Sequence, residues 1–211
     1  MDIETILQSF KKRNPQMMGT ENANKFAVFV PLVKKNNETH VLFEVRSLKL
    51  RRQPGDVCFP GGRVDDEDTN VEHTAIRETS EELGLDPKHI DDVIPLDYIA
   101  SERRIIYPFI GSINNVENMN INRDEVEEVF TVPITYFLET EPKTYELTFN
   151  IEPEQNFPFE LIHNGKNYNW QPRKKLEHFY IYNNYVIWGL TARIIEHVKA
   201  VLKQLHVETR E

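Results

Sequence analysis

Residues 77–85, Arg-Glu-Thr-Ser-Glu-Glu-Leu-Gly-Leu, stand downstream of Phe59-Pro60-Gly61-Gly62 and constrain this chain more than any other stretch. On a helix, at about 100° per residue, Glu82 falls roughly 40° to one side of Glu78 and Glu81 roughly 60° to the other, so three carboxylates share one arc. Like charges at these spacings repel, costing about 0.2–0.5 kcal/mol per pair. A hard cation such as Mg²⁺ or Mn²⁺ takes oxygen ligands, keeps several waters, relieves that repulsion and attracts phosphate. The alternative is a plain solvated acidic face, and the surrounding sequence favours the metal.

Local signals place this arc on a helix from about residue 70 to 83. Thr69 with Glu72 matches a capping box, and Val71, Ala75, Ile76, Thr79 and Leu83 form a neighbouring core stripe. Gly84 supplies a left-handed stop, with Leu85 packing back and Pro87 preventing continuation. Upstream, Ile3, Ile6, Leu7 and Phe10 predict an amphipathic helix over 3–13. Residues 26–33 and 40–47 are apolar and β-rich around the turn-forming KKNNET, an early hairpin. A short strand is expected over 54–62. Further strands are expected at 94–100, 104–113 and 125–132, with less distinct ones near 145–151, 158–163 and 177–182. A final helix spans VIWGLTARIIEHVKAVLKQL, its stripe running through Ile187, Leu190, Ile194, Ile195, Val198, Val201 and Leu202.

Composition narrows the function. The chain has 211 residues, 39% apolar and 28% charged, suited to one globular domain with an appendage. Its net charge of −9 argues against a broad nucleic-acid footprint, so an anionic substrate needs a local cation cluster or a metal. The single cysteine, Cys58, fits a reducing compartment. No apolar run has the roughly 20 residues of a membrane span, and the first residues lack a secretory signal's basic-then-apolar order, so a cytoplasmic protein is expected. There is no HExxH pair, no CxxC, no nucleophile elbow around Ser47 and no lysine-bearing phosphate loop.

FPGG, a loop and RETSEELGL together resemble the box of the Nudix hydrolases, which split a nucleoside diphosphate from whatever is linked to it. Asp68 stands where the usual form has glutamate, one extra residue precedes Arg77, and Thr79 takes an aliphatic position; the metal-ligand positions are intact. Arg46-Ser47, Arg51, Gly55 and Phe59-Pro60-Gly61-Gly62 resemble the coenzyme A pyrophosphatase branch. Glu125-Val126 before VFTVP, and WGLTAR at 188–193, extend the likeness. It covers roughly 25–138 and 185–195, leaving 1–24 as a helical extension and 141–185 poorly matched. The resemblance implies a single Nudix-type α/β/α sandwich with a mixed β-sheet, using Mg²⁺ or Mn²⁺. The implied reaction is hydrolysis of coenzyme A or its acyl derivatives to 3′,5′-ADP and 4′-phosphopantetheine or its acyl form. The rivals are a pyrophosphatase of ADP-ribose or another nucleoside diphosphate derivative, and a non-catalytic nucleotide-binding regulatory module, which would usually have lost a box glutamate.

Within that frame Glu78 and Glu82 are the expected metal ligands, and Gly61 would add its backbone carbonyl, having no Cβ to keep the chain from the ion. Glu81 is a general base or a ligand to a second ion, orientable by Arg77 four residues earlier, and Glu125 is the other candidate base. Arg77 is expected to be a partner of carboxylates. Arg46, Arg51 and Arg52 form the cation cluster the acidic chain otherwise lacks, since guanidinium forks bind phosphate bidentately. Trp188 could stack on adenine, but a large aromatic opening a buried helix is expected in the core. The expected partner is a small-molecule nucleotide, with neither nucleic acid nor membrane; a homodimer is one assembly left open.

Overall fold

The structure, a computed structural model, describes residues 2–11, 13–15 and 17–208, with side chains to residue 205. In chain order the elements are α1 (Ile3–Lys11), β1 (Asn24–Lys35), β2 (Glu38–Arg46), β3 (Val57–Cys58), β4 (Gly61–Arg63) and α2 (Val71–Leu83). Then come β5 (Ile90–Pro95), β6 (Ile99–Ala100), β7 (Arg104–Ile113), β8 (Val126–Pro133) and α3 (Ile134–Glu139). The chain closes with β9 (Lys143–Phe149), β10 (Arg173–Tyr182), β11 (Tyr185–Trp188) and α4 (Gly189–Glu208). This is an α/β protein with a mixed sheet. It divides into two compact units, Met1–Val30 with Pro60–Asn120 and Pro31–Phe59 with Ile121–Glu211, the boundary falling within β1.

In the first unit, β1 pairs with β4 through Ala27↔Gly62 and Val28↔Gly61, while β5 and β6 pair with β7. Ala27, Phe29 and Val30 share a core with Ala75 and Leu83 of α2 and with Ile90, Ile106 and Phe109. The α2 cap lies one residue later than expected. Asn70, not Thr69, accepts the His73 N–H at 2.8 Å, because Asn70 is the residue held extended ahead of the first turn. Gly84 ends the helix at φ +62°, its N–H returning to the Ser80 carbonyl, and Leu85 is buried. α1 forms, but Ile3, Ile6, Leu7 and Phe10 all remain exposed. Of the expected 3–13 range, residue 12 lies outside the described residues and Arg13 is not helical.

In the second unit, the later half of β1 forms the expected hairpin with β2, turned by Asn36 and Asn37 at φ +49° and +64°. β2 also pairs with β3 and, along its length, with β8. Phe43 stacks on Phe59 and Phe130 at centroid distances of 4.9 and 5.4 Å, and Phe137 of α3 tilts against it. β9, β10 and β11 make a separate three-stranded sheet whose Tyr180 and Ile187 are buried together with Ile194, Ile195 and Val198 of α4.

Several expectations are corrected. The 54–62 stretch is two short strands, β3 and β4, interrupted at Phe59-Pro60, where proline lacks an amide for the ladder. The 94–100 strand is β5 and β6, separated by Leu96, Asp97 and Tyr98. Residues 159–161 form a 3₁₀ turn that follows Pro158. The last helix begins at Gly189, whose φ of +63° breaks the backbone after β11, so Ile187 and Trp188 are strand residues.

Candidate functional site

In the first unit the carboxylates of α2 are organised by one guanidinium. Arg77 grips Asp68 with two bonds, Nε–Oδ1 at 3.0 Å and Nη2–Oδ2 at 2.9 Å, and its Nη1 lies 2.9 Å from Glu78 and 3.3 Å from Glu81. The Asp68 side chain is 1% exposed and also accepts the Thr74 hydroxyl at 2.8 Å and the Asp65 N–H at 3.0 Å. Asp68 thus locks Arg77 upright beside the acidic arc, which makes Arg77 the expected partner of carboxylates. The Arg77 bonds outweigh burial and hold the Asp68 carboxyl well below the usual carboxylate range, while Asp68 in turn raises the Arg77 pKa.

A depressed carboxylate stabilises the fold at pH values above its unfolded pKa, about 3.9, and loses that contribution as pH falls through its lower folded value. Asp68→Asn is therefore expected to cost about 3 kcal/mol at neutral pH. Urea unfolding should show this deficit constant from pH 7 to about 5 and shrinking below about pH 4; a deficit that grew on acidification would contradict the pairing.

The glycine loop closes against the same helix. Glu82 is buried and accepts the Gly61 N–H at 2.8 Å. At Gly62 a Cβ would lie 2.2 Å from the Glu78 carboxylate carbon, so the missing side chain makes the space in which that carboxylate sits. Gly61 has φ +151° and packs its Cα side onto the β1 backbone, where a Cβ would come within 2.3 Å of the Ala27 carbonyl oxygen.

Among the described residues no three His, Cys, Asp or Glu side chains converge into one metal cage. Of Glu78, Glu81 and Glu82 on α2, Arg77 draws Glu78 and Glu81, and Glu82 accepts the Gly61 amide. Gly61 donates its N–H to Glu82, which ties the glycine loop to the helix that carries the expected metal ligands. The donor set still fits a hard divalent cation, being all oxygen, on one helix face, with a glycine cradle in front of Glu78.

In the second unit, Arg46 ends β2 at a bulge against β8, and its backbone bonds Asp56 and Gly55, closing a loop that carries Arg51 and Arg52. Arg46 is half-buried, and its Nε is buried without a hydrogen-bond partner among the described residues; Arg51 and Arg52 are exposed. The Ser47 N–H donates to the Glu125 carbonyl at 2.8 Å, so Glu125, exposed just before β8, sits beside the Arg46-Ser47 pair. Glu44, which sequence reasoning passed over, is 1% exposed two residues before Arg46, and the Cys58 thiol lies 3.2 Å from its Oε1. The signal for it was a carboxylate interrupting the apolar run Val41-Leu42-Phe43-Glu44-Val45. Trp188 is not in the core: it is 40% exposed and stacks on Phe179 at 5.7 Å with 6° between the rings.

No helix among the described residues is long and apolar enough to cross a membrane. The sequence pattern of the NUDIX domain matches residues 24–151. The chain is 33% identical over 180 residues to the peroxisomal coenzyme A diphosphatase NUDT7 of Mus musculus, spanning 82% of this chain and 68% of that protein. It is 28% identical over 200 residues to Nudix hydrolase 3 of Caenorhabditis elegans, spanning 90% and 78% respectively. Among solved structures, a MutT/nudix family protein from Enterococcus faecalis shares the fold, with a TM-score of 0.50 at 15% identity over 96% of this chain and 70% of that one.

Proposed function

The chain belongs to the Nudix hydrolase family and is a pyrophosphohydrolase, and from that premise we propose that it hydrolyses coenzyme A or its acyl derivatives to 3′,5′-ADP and 4′-phosphopantetheine or acyl-phosphopantetheine. The observation that supports an anionic, phosphate-rich substrate best is the arginine loop at the end of β2, where half-buried Arg46 is joined by exposed Arg51 and Arg52 in an otherwise acidic chain. Guanidinium groups bind phosphate through charge-assisted, often bidentate hydrogen bonds. The named activity of the mouse relative supports coenzyme A over other nucleoside diphosphate derivatives.

Nudix hydrolases are generally dependent on a divalent metal. In this reading Glu78 and Glu82, with the Gly61 backbone carbonyl, would hold Mg²⁺ or Mn²⁺, and the ion would supply charge neutralisation at the pyrophosphate and a more acidic water. Arg77 positions Glu78 and Glu81 through its bonds to both. The Glu81 carboxylate accepts the proton of the attacking water as the new P–O bond forms and the bridging P–O bond breaks, with Glu125 the alternative acceptor. Arg46, Arg51 and Arg52 take substrate phosphates, of which the 3′-phosphate distinguishes coenzyme A. Cys58 as the single cysteine suits a reducing compartment such as the cytoplasm, and the mouse relative's name adds the peroxisome as a second setting.

The test is a turnover comparison of coenzyme A, dephospho-coenzyme A and ADP-ribose with Mg²⁺ and with Mn²⁺. The expected result is a kcat/KM at least about tenfold higher for coenzyme A than for its dephospho form, one charge-assisted phosphate contact's worth. Equal rates with and without the 3′-phosphate would favour an ADP-ribose type of substrate, and no turnover of any would favour a binding module.

A further inference from the structure

The second unit contains a cavity of about 470 Å³ to which no role has yet been given. Its volume lies in the range of small-molecule sites, about 300–1,000 Å³. Val45, Asp56, Glu128, Asn184, Tyr185 and Trp188 are among its walls, and no Lys, Arg or His is among the described residues lining it. Val45 and Glu128 are register partners on β2 and β8 and so face the same side. Tyr185 lies flat on Phe130, with centroids 3.6 Å apart and 3° between the rings, and burial together with the nearby Glu128 carboxylate raises its hydroxyl pKa. Trp188 is backed by Phe179 and is partly exposed.

These walls specify a ligand. Two carboxylates without a lining cation repel an anion and accept from N–H donors. Two supported aromatic rings offer flat faces for stacking. An asparagine amide, with one donor and one acceptor side by side, matches the N6/N7 edge of adenine. The cavity also adjoins the arginine loop. Asp56 and Gly55, which line it, are the residues whose backbones bond Arg46, so the segment bearing Arg51 and Arg52 begins and ends at its rim. A ligand with phosphates for those guanidiniums and an uncharged, amine-bearing aromatic end for the cavity is a purine nucleotide. A simple alkylammonium would satisfy the carboxylates and leave the arginines unexplained.

We propose that this cavity is the base-recognition pocket of the protein: adenine stacks on Trp188, its exocyclic amine donates to Glu128, and Asn184 reads its N6/N7 edge. This deepens the reading of the substrate as a nucleotide and rests on it. It makes the protein selective for a 6-amino over a 6-oxo purine, because hypoxanthine would turn a carbonyl oxygen toward the carboxylates.

The test is calorimetric binding of ADP and of IDP to the full chain in EDTA, where phosphates are constant, the base alone varies and no hydrolysis is required. ADP is expected to bind at least about tenfold more tightly than IDP. Trp188→Ala should weaken ADP about 5- to 150-fold, the loss of one base-stacking contact, while Trp188→Phe restores most of it. Glu128→Gln should bring the two affinities together, since its amide can donate to the 6-oxo group. Circular dichroism of each variant checks the fold, and the isosteric Glu128→Gln stands as the readout should Trp188→Ala fail to fold. Equal affinity of the wild type for ADP and IDP, no binding of either, or a preference unchanged in Glu128→Gln would overturn the pocket assignment. The coenzyme A reading is judged separately by turnover: loss of coenzyme A preference with base selectivity intact removes that reading and leaves the pocket standing.

Discussion

Glu82→Gln is expected to lower divalent-metal-dependent kcat on the order of 10³-fold or more, the several kcal/mol a bound ion contributes to a phosphoryl transition state. The fold should survive, because glutamine keeps the side-chain oxygen that accepts the Gly61 N–H at 2.8 Å. A melting temperature within a few degrees of wild type therefore accompanies the loss. Glu72→Gln is the control: it lies on the same helix, exposed in the first turn and away from the acidic arc, and should retain wild-type turnover. Normal activity in Glu82→Gln would remove Glu82 from the metal site.

The adjacent glycines are expected to fail in opposite ways. Gly61→Ala drives a Cβ to 2.3 Å from the Ala27 carbonyl oxygen and 2.7 Å from the Val28 Cα, at a φ that L residues rarely adopt. Backbone cannot step aside as a side chain can, so the cost is about 3 kcal/mol or more, a melting temperature lower by roughly 10 °C. In Gly62→Ala the nearest atoms to the new Cβ are those of the Glu78 carboxylate, the far end of a flexible side chain, and no positive φ opposes the substitution. Its melting temperature should stay within about 3 °C while kcat falls about 10²- to 10³-fold, because the displaced group is the proposed ligand. Thermal scans and turnover on the two variants separate the effects; a stable Gly61→Ala or a fully active Gly62→Ala would contradict this division of roles.

What could be read from the sequence was what local chemistry determines. The hairpin turned at Asn36-Asn37, the strand at Arg104–Ile113 and the stop at Gly84 each depend on residues within a few positions of one another. The arc of Glu78, Glu81 and Glu82 followed from helical spacing alone. The positions of the carboxylates themselves did not, because they depend on Arg77 reaching Asp68 nine positions back and on the Gly61 amide 21 positions away. Glu44 lies buried within an apolar strand, where periodicity gives no reason to expect a charge. Trp188 was assigned to a helix and a core because the apolar pattern runs through it unbroken; the break is a single left-handed glycine, Gly189, and a register with Phe179 that only the folded sheet supplies.

The account turns on whether the acidic face of α2 holds a divalent ion. Anomalous diffraction from crystals soaked in Mn²⁺ addresses that directly: the expected result is a manganese peak bonded to carboxylate oxygens of Glu78 and Glu82, with Arg77 still bonded to Asp68. Full Mn²⁺ in the solvent, activity in the dissolved crystals and no peak at those two side chains would contradict it.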